Sequence, residues 1–195
     1  MAWGIRLVRF SLVFVAAVIT VFSVSVGAQK KPAAPAPPVP AGPAVAKVAT
    51  LQTLLPEVAG WTRSAPGGEV VMINETSGYS FADTMLTNGD MKIRLTVGDT
   101  DGVDDCMMAL AALVTLLPEG YSEQLPPATS VTRLAFKGHQ AAAKFNSEKL
   151  EGEFSVVIDK RFVVKAEGKV DSVDTLRAIV EKIDLVKLAA MKPVK

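Results

Sequence analysis

The chain has little of what enzymes most often use. Its 195 residues include one histidine and one cysteine, and aromatic residues make up only 6%. The lone His139 leaves few means of acid–base chemistry near neutral pH. The lone Cys106 excludes an intrachain disulfide and any paired Cys-x-x-Cys redox or zinc motif. No Gly-x-Ser-x-Gly elbow and no phosphate-cradling glycine loop occurs. An excess of one charge is missing too, with 21 Lys+Arg against 20 Asp+Glu. Without a basic run or an aromatic-studded basic patch, nucleic acid is not an expected partner. The chain reads as a non-enzyme with no expected cofactor.

What is present starts with a long apolar run. Arg6 and Arg9 precede Phe10 to Val26, where only serine and threonine interrupt the apolar side chains. Val26-Gly27-Ala28 then offers compact residues where a signal peptidase needs them. Residues 1–28 read as a secretory signal or as an uncleaved anchor over residues 7–27, since the run sits at the lower limit for a membrane span. Both readings imply export, to the periplasm or as a secreted protein, with membrane contact only through this segment. The first 28 residues hold two arginines and no acid, which leaves 19 basic against 20 acidic residues beyond them. Residues 29–46 carry six of the 12 prolines. Such a stretch favours extended polyproline II and reads as a disordered linker, either a spacer or a leader. A single globular domain is expected over residues 47–195.

Within that domain the clearest pattern is Gly152 to Gly168. Phe154, Val156 and Ile158 alternate with Glu153, Ser155 and Asp159; beyond an Asp159-Lys160 corner, Phe162, Val164 and Ala166 alternate with Val163, Lys165 and Glu167. This predicts an antiparallel hairpin at the centre of a sheet. A second hairpin, Tyr79–Thr87 with Met91–Asp99, turns on Asn88-Gly89-Asp90. Further strands are expected over Glu69–Asn74, Ser130–Phe136 and Ala141–Asn146. A short helix is expected around Val48, Leu51, Leu54 and Leu55. The last helix, carrying Val173, Leu176, Val180 and Ile183, has an acidic N-terminal cap in Asp171, one residue before Ser172, and Asp174, and its tail Leu185–Met191 is apolar enough to dock.

From Val103 to Leu117 the period becomes helical. At 100° per residue Cys106, Leu110, Leu113, Val114 and Leu117 share a bulky face, expected to pack on the sheet. The small face, Met108, Ala111, Ala112 and Thr115, has no charged residue, so something must cover it. The alternatives are the chain's own loops (Pro118–Pro127 or the Leu185–Met191 tail) and a protein partner or second copy.

The one dense acidic segment is Asp99-Thr100-Asp101-Gly102-Val103-Asp104-Asp105. It starts like a calcium loop, but its glycine comes at the fourth position and Leu110 stands where glutamate belongs, so an EF-hand of the usual form is excluded. Asp101, Asp104 and Asp105 read better as caps of the following helix's N-terminus, where backbone N–H groups and the macrodipole favour carboxylates. A metal-assisted hydrolase using Asp99, Asp101, Asp104 and Asp105 is the rival reading. His139 reads as a turn residue, Cys106 as a small buried hydrophobe, and Trp61, Tyr79 and Phe81 as core rather than groove. Asn74-Glu75-Thr76 matches the glycosylation sequon.

The expected fold class is α+β: an antiparallel sheet of about seven strands covered by two main helices. That element order resembles the Mog1/PsbP-type α/β sandwich. Gly60-Trp61, Tyr79-x-Phe81-Ala82, Asn88-Gly89-Asp90, Asp99, Arg161-Phe162 and Asp184-Leu185 also resemble exported bacterial proteins of unassigned function. The resemblance covers about residues 50 to 190 and rests on structural motifs. It implies a non-catalytic binding or assembly module.

Overall fold

The computed structural model describes residues 44–191; residues 1–28, and 29–43 of the expected linker, lie outside them. The first half runs helix α1 (Val48–Gln52), strands β1 (Thr62–Arg63), β2 (Gly67–Met72), β3 (Gly78–Asn88) and β4 (Met91–Asp99), then helix α2 (Asp104–Leu116). The second half runs strands β5 (Ser122–Leu125), β6 (Thr129–Phe136), β7 (His139–Asn146), β8 (Glu151–Ile158) and β9 (Phe162–Lys169), then helices α3 (Val173–Val180) and α4 (Leu185–Ala189). The strands form one sheet in the order β1-β3-β4-β9-β8-β7-β6-β5, with β2 also on β3 and every pairing antiparallel.

The α+β class with a large antiparallel sheet is therefore right, but its expected detail is not. Among the described residues there are nine strands rather than about seven, and four short helices rather than two main ones. The two strands missed are β1, only two residues long, and β5, whose Ser-Glu-Gln-Leu is exposed throughout and shows no buried alternation. The last helix divides because Asp184 accepts the Lys187 N–H at 2.8 Å and so starts a new helix, α4. At α3 the Ser172 hydroxyl accepts the Thr175 N–H, and Asp171 accepts the Thr175 hydroxyl at 2.6 Å, which lowers the Asp171 pKa.

The β8–β9 hairpin sits between β4 and β7, as its alternation requires. Asp159 and Lys160 adopt φ of 50° and 53°, the left-handed pair that matches the twist of a tight hairpin. Register places Phe154, Val156, Ile158, Phe162, Val164 and Ala166 on one face, beside Ile93, Leu95 and Val97 of β4. Over that first face lie Leu51, Leu54 and Leu55, Leu176, Ile179 and Val180, and Leu185 and Leu188, forming one core. Phe136 meets Phe154 edge to face at 5.2 Å. Helix α4 and Met191 pack here, so the tail does not cover α2.

Helix α2 lies alone on the second face. Met107, Ala111 and Val114 pack on Ala142, Val157 and Val163. Gly98, paired with Val163, makes this approach possible: a Cβ there would stand 2.5 Å from Leu110 Cδ1.

One boundary moves. Val45 and Ala46 belong to the expected linker, yet both are buried, and Ala46 joins the main core. Ordered packing thus starts upstream of Lys47, because β3 and β4 supply polar partners for the backbone of Ala44–Ala46.

Candidate functional site

Those partners come from the acidic segment. Asp99 ends β4 on the first face, with 0% of its surface exposed. Its Oδ1 accepts Arg161 Nε at 2.8 Å, and its Oδ2 accepts Arg161 Nη2 at 2.7 Å. The same carboxylate accepts the Ala46 N–H at 2.7 Å and the Asp101 N–H at 3.0 Å. Asp101 Oδ2 accepts the Ala44 N–H at 3.1 Å, Arg161 Nη2 donates to the Ala44 carbonyl at 3.2 Å, and Ser80 Oγ donates to the Ala46 carbonyl at 2.7 Å. Bidentate bonding to Asp99 raises the Arg161 pKa further above its already high value. Together these groups form a clip that holds the start of the domain against the sheet.

This corrects the reading of Asp101, Asp104 and Asp105 as helix caps: Asp99 binds Arg161 and backbone, Asp101 accepts the Ala44 N–H, and Asp104 and Asp105 occupy the first turn of α2, whose N-cap Val103 makes no side-chain cap bond. Among the described residues no three His, Cys, Asp or Glu side chains gather as metal ligands. Asp104 and Asp105 still favour the helix terminus by charge.

The small face of α2 also changes. Ala111 is fully buried against the sheet, not exposed with Met108, Ala112 and Thr115. Its φ of −139° and ψ of 50° break the helix. Thr115 Oγ1 donates to the Ala111 and Ala112 carbonyls at 3.2 and 3.1 Å, a back-bonding that bends helices. Even so, the buried Met107, Ala111 and Val114 keep the i, i+4, i+7 spacing of one helical face, so the period holds and the expected bulky face is not the one that packs. Leu110, Leu113 and Leu117, expected in the core, are only half-buried, and the buried positions are Cys106, Met107, Ala111 and Val114. On the outer side Met108 and Leu116 remain 44% and 67% exposed. Burial, and then the charge of Asp105, pushes the Cys106 thiol pKa up, so it stays protonated.

His139 is the first residue of β7, opposite Phe136, while the turn itself is Lys137-Gly138. Trp61 packs against the main core. Tyr79 and Phe81 are half-buried with ring centroids 6.2 Å apart, and the Arg94 guanidinium lies over Phe81. Asn74 of the sequon accepts the Thr76 and Ser77 N–H groups through its side-chain oxygen.

Sequence reading missed a groove. Helix α2 crosses β9, β8 and β7 over Val163, Val157 and Ala142, leaving the other half of those strands open on the same face. There a groove of about 540 Å³ is floored by Lys144, Glu153, Glu167 and Lys169 and walled by Pro127, Asn146 and Lys149. Ser155 Oγ donates to Glu153 at 2.7 Å, and Lys165 pairs with Glu167 at 3.1 Å. Lys144, Lys149 and Lys169 have no ion-pair partner among the described residues. Asn146 is fixed as a corner post: its Nδ2 donates to the Pro127 carbonyl and to Thr129, and its Oδ1 accepts the Lys149 N–H. The available signal was Lys144, Glu153, Glu167 and Lys169 at outward strand positions, but only register sets them side by side.

Among the described residues no helix is long and apolar enough to cross a membrane. No protein-family model, no curated protein and no solved structure matches this chain.

Proposed function

We propose that this domain is a non-catalytic binding or assembly module that works outside the cytoplasm, as the N-terminal composition suggests. The observation that carries the reading is the groove on the second face. Its floor is three paired strands, and it presents both signs of charge with the carboxylates of Glu153 and Glu167 already oriented. That arrangement suits an extended peptide segment bearing acidic side chains for Lys144, Lys149 and Lys169. The uncharged outer side of α2, with Met108, Ala112 and Thr115, is the apolar shoulder on which such a partner would extend. The Mog1/PsbP-type likeness agrees with a binding role by analogy. An array of mixed-charge dodecapeptides probed with the full chain tests the proposal. Selective binding should weaken at least tenfold in Lys144→Glu, with every peptide recovered intact by mass spectrometry. Equal binding by the variant would remove the groove from the account. Peptide cleavage would favour a hydrolase instead.

A further inference from the structure

We propose that β2 is a self-association edge, on which a second copy of this chain lays its own β2 antiparallel and joins the two sheets. The two ends of the sheet differ in how they guard against such pairing. At one end β5 has four residues, carries Glu123 and runs directly into Pro126-Pro127. Short, charged, proline-flanked edges discourage strand addition. At the other end β2 has six residues and continues as Val70-Val71-Met72-Ile73, with Glu69 the only charge from Gly67 to Asn74. Val70, Met72 and Ile73 are 49%, 49% and 43% exposed, and no other four-residue stretch of the described chain exposes three large apolar side chains.

The backbone is equally open. Ile73 donates its N–H to the Ser77 carbonyl at 2.9 Å, on the β3 side. Alternation then turns Val71 toward β3 and the N–H and C=O of Val70 and Met72 away from it. No hydrogen bond among the described residues reaches those outward groups. Upstream, Gln52 Nε2 donates to the Pro66 and Gly67 carbonyls at 3.4 and 3.1 Å, so α1 closes that end and leaves residues 69–73 available.

Charge selects the occupant. The edge offers one carboxylate and no cation, so a partner strand must be apolar opposite residues 70–72 and must not oppose Glu69 with an acid. A second copy centred on Val71 meets both demands: Val70 faces the partner's Met72, Val71 faces the partner's Val71, and Glu69 faces the partner's Ile73. The two Glu69 carboxylates then lie about 13 Å apart along the strand, four residues at roughly 3.3 Å each. A parallel arrangement would set them side by side. The proline-rich stretch before Ala44 lacks the regular amide donors a paired strand needs. A contact of this length is small, so the dimer should form reversibly with concentration.

Sedimentation equilibrium of the purified full chain over a hundredfold concentration range provides the test. The average mass should rise from one chain toward two. Val70→Pro, which removes only an outward N–H, should weaken association at least tenfold with an unchanged circular dichroism spectrum. In case proline disturbs the strand, Val70→Lys should give the same loss. A non-hydrogen-bonded antiparallel pair brings Cα atoms to about 4.5 Å, within disulfide reach. Val71→Cys should therefore cross-link into dimers under mild oxidation while Gln124→Cys on β5 does not. A mass that stays constant with concentration, association indifferent to both Val70 variants, or no cross-link at Val71→Cys would each overturn the proposal.

Discussion

The two faces of the sheet are built from the same strands, yet one is sealed and the other half open. On the first face every strand of the central four presents apolar side chains, among them Leu95, Val164, Val156 and Ala141, and three helices cover them. On the second face the same strands present Thr96, Lys165, Ser155 and Ala142 at neighbouring positions. Apolar surface survives there only where Gly98, Val163 and Val157 stand side by side, with Ala142 one pair farther along. One helix fits on that patch, and the charged rows beyond it become the groove. What decides coverage is therefore not how apolar a strand is, but whether its outward positions line up with those of its neighbours.

The comparison breaks most visibly if the first face loses its clip. Asp99→Ala leaves the Arg161 guanidinium, only 14% exposed, without its carboxylate and strips the Ala46 N–H of its acceptor. Removing one member of a buried pair costs about 3–5 kcal/mol, because an uncompensated charge stays behind. Urea unfolding followed by circular dichroism should show a loss of that size. A loss below about 1 kcal/mol, typical of exposed ion pairs, would mean that the pair is hydrated in solution.

A sharper comparison uses neighbours that point in opposite directions. Val163 and Val164 are both fully buried, the first under α2 and the second in the main core. Val164→Ala should cost about 1.5–3 kcal/mol, since three helices and the sheet leave little room for collapse around the cavity. Val163→Ala should cost less, about 1 kcal/mol, because a single kinked helix can settle into the space. Equal losses in the same urea titration would show the second face to be as tightly packed as the first.

How much of this was legible depended on the length scale of the signal. The expected strands match β3, β4, β6, β7, β8 and β9 within a residue or two, and the alternation is cleanest in β4, β8 and β9, whose core side carries Ile93, Leu95 and Val97, Phe154, Val156 and Ile158, and Phe162, Val164 and Ala166. The clip was half visible: Asp99 and Arg161 are 62 positions apart, and only the β4–β9 pairing joins them. The groove was not visible at all, since Lys144, Glu153 and Glu167 belong to three strands and each alone reads as an ordinary outward, solvated position. The α2 error has a different origin. The helical period holds, since Met107, Ala111 and Val114 share one face, but choosing the buried side by the bulk of Leu110, Leu113 and Leu117 picked the wrong face.

Helix α2 also yields the smallest effect, in a direct test of which of its sides faces outward. Ala112 is exposed, with exposed Met108 and Leu116 beside it on the same helix. Ala112→Glu should change stability by no more than about 0.5 kcal/mol, as for most surface substitutions away from caps and cores. Glutamate has good helix propensity, and its unfavourable interaction with the C-terminal half of a helix is worth only a few tenths of a kcal/mol in water. Thermal melts of the full chain should therefore overlay those of the parent. A large drop would mean that the chain's own segments cover this side after all. Self-association through β2 should be untouched, since α2 contacts β7, β8 and β9 and not that edge. An assembly that Ala112→Glu dissolves, leaving a folded monomer, would move the partner surface from the edge of the sheet to Met108, Ala112 and Thr115.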